Sequence, residues 1–348
     1  MIKKNILYVN YILQYGHVNF DRIHISALKS TGNNVKLILH YKIAKELGFP
    51  LAEYELILPK FLGIDSHNPI LNRFIYILTL LYIKIKVSFK NYDKIILSSM
   101  DEPTLGLVPL CRKMFIICHV NASNFENTIK RFFIKKLTKY NYFIVFNRRM
   151  KEPFIENGIS NVFIISHGCI DPYQPQILES LPIDTTKYDF VIFHPSAKIE
   201  RNFLQELKSN KELHRFFIDN NYAFVVRDKS LEIEECENII IIHKYLTKEQ
   251  YQTLFVASDV ILLAYPESFR YQVSGISYEC ITNKKNILIR NNPSLKYCEN
   301  FYNYNPFFLT TEQLCKKINF LRHNPTAKCK VSANSLQPDY QEIVNSDY

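Results

Sequence analysis

VILLAYPESFRYQVSGISYEC, residues 260–280, is the stretch on which the reading of this chain turns. The apolar run VILLAY reads as a buried strand. A polar loop follows, and Ser274-Gly275 then opens a segment that reads as a helix, with Glu279 in its first two turns. Strand, loop, small-residue turn and acid-bearing helix together form a phosphate-binding arrangement. The free N–H groups at a helix N-terminus attract an anion, and a carboxylate about one turn further in is placed to take a ribose diol. Ser274 also reads as an ordinary N-cap, a role compatible with the first.

Working outward, the same alternation fills the second half. YDFVIFH (188–194), AFVVR (223–227), NIIIIH (238–243), DVILLAY (259–265) and NILIR (286–290) read as strands. A helix is expected over 200–220 and another over KEQYQTLFVAS. The first half runs in the same way, with strands at NILYV (5–9), VKLIL (35–39), YELIL (54–58), YDKIILSS (92–99), KMFIICHV (113–120), YFIVF (142–146) and NVFIIS (161–166). Asn19 reads as a cap for a helix to about Lys29, and Asn127 as the cap of a basic helix over 128–139. Apolar strands alternating with helices predict parallel sheets covered on both faces. The pattern restarts after a segment with Gly168, Pro172, Pro175 and Pro182. The fold class expected is therefore α/β, with two doubly wound Rossmann-like domains facing across a cleft. Their boundaries are 1–168 and 169–325, followed by a polar tail over 326–348 that has no clear period.

Composition narrows the classes. Hydrophobic residues make up 47% and charged residues 22%, which is globular and not disordered. Eight cysteines show no CxxC pair and no regular spacing, which predicts buried free thiols in place of a disulfide frame or zinc site. Met1-Ile2-Lys3-Lys4 leads directly into a strand, so no signal peptide is expected and a cytoplasmic location is. The net charge of +10 is one-sided: residues 1–165 hold 23 Lys and Arg against 11 Asp and Glu. That asymmetry points the first domain toward an anionic partner, or else marks a solvated basic face. No aromatic-basic nucleic-acid motif accompanies it, so nucleic acid is not expected. Basic stretches such as TIKRFFIKKLTKY (128–140) suit membrane headgroups. PILNRFIYILTLLYIKIKV (69–87) has an uncharged core too short to span a bilayer. It reads first as a buried helix and second as a monotopic membrane contact, because Lys84, Lys86 and Lys90 follow.

Ligands of doubly wound sheets sit at the carboxyl ends of the strands, which selects the polar residues there. After the first strand of the second domain come Lys198 and Arg201, cations able to neutralise a diphosphate leaving group. Arg227 ends the next strand, and Tyr245 follows the third at a position to border a nucleobase. Ser274, Gly275 and Ile276 present N–H groups, and Glu279 the carboxylate. In the first domain the loop with Tyr15, Gly16 and His17 lies after the first strand, near phosphates or acceptor. His119 ends KMFIICH, and Asp101-Glu102 ends YDKIILSSM; His17, His119, Asp101 and Glu102 are the groups able to act as a base. A strand-end His also serves structural roles, and an acid at a helix start also complements the dipole.

These segments together resemble the GT-B glycosyltransferases, and among them family four. NRRMKEPFIENGISNVFIISHGCID (147–171) is similar to the end of that family's first domain. HKYLTKEQYQTLFVASDVILLAYPES…SGISYECITNKKNILI (243–289) is similar to its donor-binding segment. The resemblance implies that Lys198 or Arg201 holds a donor diphosphate, that Ser274, Gly275 and Ile276 offer it N–H groups, and that Glu279 binds ribose. It implies a hexosyltransferase that carries sugar from a nucleotide-diphosphate donor to a glycan or lipid-linked acceptor. Its expected setting is the synthesis of bacterial surface polysaccharide (capsule, O-antigen or exopolysaccharide) at the inner face of the cytoplasmic membrane. No metal or other cofactor is expected, and no Asp-x-Asp motif is present. Retention is the expected course, with the donor phosphate assisting; inversion would require one of the first-domain bases. The chain departs from the family at Tyr271, where the pattern has a second glutamate, and at Asn283, where it has glycine. A nucleotide-sugar epimerase of the same fold and a degenerate sugar-nucleotide-binding protein are the alternative readings.

Overall fold

In the computed structural model of the chain, the described residues are 3–346 other than 14–16, 65, 67, 175–180, 197 and 229–235. Tyr15 and Gly16 therefore lie outside the described residues. The chain forms two compact units. The first comprises Met1–Gly168, Tyr271–Val273 and Leu336–Tyr348, and the second Cys169–Arg270 and Ser274–Ser335.

The first unit is built on a seven-stranded sheet. Its strands are β1 (Asn5–Val9), β2 (Asn34–His40), β3 (Tyr54–Leu58), β4 (Lys94–Leu97), β5 (Met114–Ile117), β6 (Tyr142–Val145) and β7 (Val162–Ile164). Their spatial order is β3-β2-β1-β4-β5-β6-β7, every pair parallel. The second unit holds β8 (Phe190–His194), β9 (Tyr222–Arg227), β10 (Ile239–Ile242), β11 (Val260–Leu263), β12 (Asn286–Arg290) and β13 (Phe307–Phe308). Their order, β10-β9-β8-β11-β12-β13, is again wholly parallel. Both orders contain 3-2-1-4-5-6, the doubly wound Rossmann arrangement, extended by a seventh strand in the first sheet, so both predicted domains have the expected fold class. The apolar runs are the reason: β4, β5, β8 and β11 are buried at every residue, as strands with helices on both faces must be.

Several elements differ from expectation. The helix after β1 runs Val18–Ser30 with His17 at its N-cap, so Asn19 lies inside its first turn and caps nothing. The expected 200–220 helix is two, Arg201–Ser209 and Lys211–Asp219, because Asn210 turns out at ψ 97° and its side chain caps the second through Leu213 N–H. Residues 311–323 form a further helix capped by Thr310. The end of the polar tail packs against the first unit. Tyr340 is buried and its hydroxyl meets His24 Nδ1 at 2.7 Å, while Lys4 and Lys94 donate to the carbonyls of Val344 and Ser346. Its helical segments among the described residues, Ala333–Leu336 and Gln341–Asn345, are too short to show a period.

The helix Pro69–Lys86 is capped by Asn68 and is buried on one face only, at Ile75, Thr79, Leu80 and Ile83. Ile70, Phe74, Leu78, Leu81 and Ile85, spaced every three or four residues, form an exposed apolar stripe on the other face. The buried-helix reading is corrected accordingly: the sheet has room for one stripe, and this helix carries two. No helix among the described residues is long and apolar enough to cross a membrane. The cysteines are all free, most of them buried.

Candidate active site

In each sheet the crossovers leave in opposite directions on either side of the first strand, between β1 and β4 and between β8 and β11. The carboxyl ends there form the crevice used by ligands of this architecture.

In the second unit, Ser274 caps the helix Gly275–Thr282 that follows β11, as expected. Its hydroxyl meets Tyr265 Oη at 2.8 Å, and its own N–H donates to Tyr297 Oη at 3.3 Å. The N–H groups of Gly275 and Ile276, first in the helix, have no acceptor within it. Tyr265 stacks on Phe269 with ring centroids 4.1 Å apart, and Lys198 Nζ stands 5.9 Å from the Phe269 ring. One continuous group thus links Lys198, from the β8 loop, to the helix start after β11. Arg201 is exposed at the first residue of its helix. Arg227 lies with its guanidinium 4.1 Å from the ring centroid of Tyr245, which is 68% exposed and offers a flat face. Glu279 is half-buried and accepts from Tyr251 Oη at 2.7 Å and from the Tyr173 hydroxyl. Burial pushes its pKa up, opposed by these two hydrogen bonds. The two tyrosines had no signature in the linear pattern.

In the first unit, His119 and His17 come together, their rings 4.4 Å apart. His119 Nε2 donates to the carbonyl of Ser98 at 2.9 Å, which leaves Nδ1 as the lone-pair nitrogen. Phe20, Phe146, His24 and His167 pack around the pair. Burial holds His17 and His167 down at about 4 and His24 and His119 well below the usual range, so all four are neutral at pH 7. Asp101 and Glu102 have structural partners. Asp101 caps the next helix through Thr104 N–H and pairs with Arg73 at 3.4 Å. Glu102 is 2% exposed and accepts from the side chains of Asn121 and Asn124. A fifth group escaped sequence reasoning: Asp21, fully buried, accepts from Tyr8 Oη at 2.7 Å and Asn10 Nδ2 at 2.8 Å. Burial raises it to about 6. Tyr271, at the position where glutamate was expected, belongs to the first unit and lies under the Arg149 guanidinium, 4.7 Å from its ring centroid.

No protein-family profile and no curated protein sequence matches the chain. Solved structures do. The MnaA–UDP structure from S. aureus superposes with TM-score 0.58 at 12% identity, over 98% of this chain and 95% of that one. A glycosyltransferase from Rickettsia africae gives 0.57 at 18% identity, over 93% and 89%. A protein from Listeria monocytogenes assigned as a UDP-N-acetylglucosamine 2-epimerase gives 0.53 at 9% identity, over 94% and 89%. The likeness at these identities is one of fold: the chain has the two-unit GT-B architecture shared by glycosyltransferases and nucleotide-sugar epimerases.

Proposed function

We propose that the chain is a glycosyltransferase that uses a nucleotide-diphosphate sugar. The observation that carries this reading is the edge of the second sheet between β8 and β11. There a capped helix N-terminus with open N–H groups at Gly275 and Ile276 is tied through Ser274, Tyr265 and Phe269 to Lys198. The N–H groups and the cation take the diphosphate, whose charge grows as the glycosidic bond breaks. Glu279, held by Tyr251 and Tyr173, accepts from the ribose hydroxyls. Tyr245, with Arg227 behind it, supports the base. The reaction proposed uses no divalent metal, so activity in EDTA is expected to equal that without it.

The acceptor, a glycan or lipid-linked saccharide of bacterial surface polysaccharide synthesis, is assigned to the first unit. His119 and His17 are the groups proposed to contact it. Retention is the proposed course, and it accords with the structural engagement of Asp101 and Glu102, the two carboxylates among the candidate bases. Docking on an anionic membrane is supported by the exposed stripe of Pro69–Lys86 and by Lys84, Lys86 and Lys90 at its end, all exposed. An apolar stripe with a basic rim is the make-up of an interfacial helix.

The test is a thermal-shift screen of nucleotide sugars, followed by product analysis with the hit. A ligand at one hundred times its Kd adds about 2.7 kcal/mol of stability. A screen in which no nucleotide sugar or nucleoside diphosphate raises Tm would refute the reading. The epimerase reading draws on the fold likeness to the Listeria protein. It is selected instead when the bound sugar nucleotide is converted with no acceptor present.

A further inference from the structure

A second concavity opens at the carboxyl ends of β1, β2 and β3, beyond β1 from the His17–His119 pair. It encloses about 280 Å³ and is lined chiefly by Leu13, His40, Tyr41, Lys42, Lys60 and Gly63. That is just under the volume of pockets that enclose a whole drug-sized ligand, so it suits one sugar-sized group.

His40, the last residue of β2, is 2% exposed. Its Nε2 lies 2.9 Å from the carbonyl oxygen of Tyr11. A carbonyl only accepts, so Nε2 carries the proton and Nδ1 is a lone-pair nitrogen. That nitrogen is buried and has no hydrogen-bond partner among the described residues. Leaving a buried acceptor unmatched is unfavourable, and a donor brought by a ligand would relieve it. Burial also lowers the His40 pKa, keeping the lone pair free at neutral pH.

Gly63 keeps the space before this nitrogen open. Its φ of −96° is one that residues with side chains adopt, so the backbone does not demand glycine. A Cβ there would stand 3.7 Å from His40 Nδ1 and 3.7 Å from Leu13 Cδ2. Lys60 brings a positive charge to the rim, its ammonium 4.7 Å from the Tyr41 ring centroid, and no acid is among the described lining residues.

We propose that this cavity binds a sugar-phosphate-type group, a hydroxyl donating to His40 Nδ1 while Lys60 holds the phosphate. Lysine serves such a site as a point charge. The inference rests on the first unit alone and stands whether or not the second unit takes a nucleotide sugar.

The experiment follows the ¹⁵N resonances of His40 in the full-length, histidine-labelled protein. Glycerol 3-phosphate, ribose 5-phosphate and glucose 6-phosphate are titrated in turn, with inorganic phosphate and glucose as controls. At least one sugar or polyol phosphate is expected to move the Nδ1 resonance upfield, as hydrogen bonding to that nitrogen requires. Gly63→Ala, whose Cβ meets only ordinary contacts, and Lys60→Gln, at an exposed position, should each weaken that binding about tenfold or more, as loss of one charge-assisted or buried hydrogen bond implies. Both should keep the wild-type Tm, and Lys60→Gln suffices if Gly63→Ala folds poorly. The proposal falls if no member of the panel moves Nδ1, if neither variant weakens binding, or if inorganic phosphate alone reproduces the shift. A nucleotide-sugar titration of the same sample reports on the second unit separately.

Discussion

Replacing Glu279 separates two roles of one carboxylate, the tyrosine clamp seen in the structure and the ribose contact proposed for it. It accepts from Tyr251 and Tyr173, and it faces the proposed ribose site. Glu279→Ala leaves both tyrosine hydroxyls without their acceptor, a loss of about 1–3 kcal/mol each. Both tyrosines are half-buried, which favours the lower end, so roughly 2–3 kcal/mol in all. For a unit of this size that lowers Tm by roughly 4–12 °C. Affinity measured on this variant therefore mixes fold with contact. Glu279→Gln keeps the shape and one acceptor oxygen, and its stability should stay within about 1 kcal/mol of wild type. It loses the charge, and with it the stronger form of a bond to a diol, worth about 1.5–3 kcal/mol. Donor affinity of Glu279→Gln should fall roughly tenfold or more. Thermal denaturation and calorimetric titration with the donor from the screen check both arms. A wild-type Tm for Glu279→Ala would refute the tyrosine clamp. A wild-type donor Kd for Glu279→Gln would refute the ribose contact.

Acid should destabilise the first unit. His24 is neutral in the fold but titrates at about 6.5 in the unfolded chain, so stability is intact above that pH and is lost as pH falls below it. By pH 5 His24 alone accounts for about 2 kcal/mol; His17, His119 and His167 act in the same direction, while Asp21, raised to about 6, offsets roughly one of them. Urea midpoints that stay level from pH 7 to pH 5 would contradict this. Phe74→Asp and Ile85→Asp, both at exposed positions, should leave Tm unchanged and reduce co-sedimentation with anionic vesicles; full sedimentation of the double variant would remove the helix from the docking surface. Gly168→Ala meets a left-handed φ of +85° and places a Cβ 2.4 Å from Ile23 Cγ2, so a loss of about 2 kcal/mol or more is expected in denaturant unfolding. Lys198→Gln should weaken the donor without moving Tm, since its side chain is exposed.

Much of the proposed donor site was legible as local structure. Ser274, Gly275 and Glu279 lie within two turns of one another, and an N-cap followed by a helix can be read from neighbouring residues. The groups that fix Glu279 were not legible, because Tyr173 and Tyr251 reach it from other elements. Asp101 and Glu102 show the reverse. Their place after a strand made them candidate bases, and only the positions of Arg73, Asn121 and Asn124 reveal that both are engaged. The helix Pro69–Lys86 read as buried because composition reports how apolar a segment is, not how many of its faces find a partner.

The two runs of alternating strands and helices, the break between them, and the parallel, doubly covered character of both sheets are written in the local order of residues. Periodicity and capping act over a few residues, and that is the range at which they can be read. Tertiary structure decided the strand order, the meeting of His17 with His119, the return of the tail to the first unit, and the unpartnered nitrogen of His40. Each of these depends on which distant surfaces pack together, and burial, which sets the charge state of every histidine in that cluster, exists only once they have.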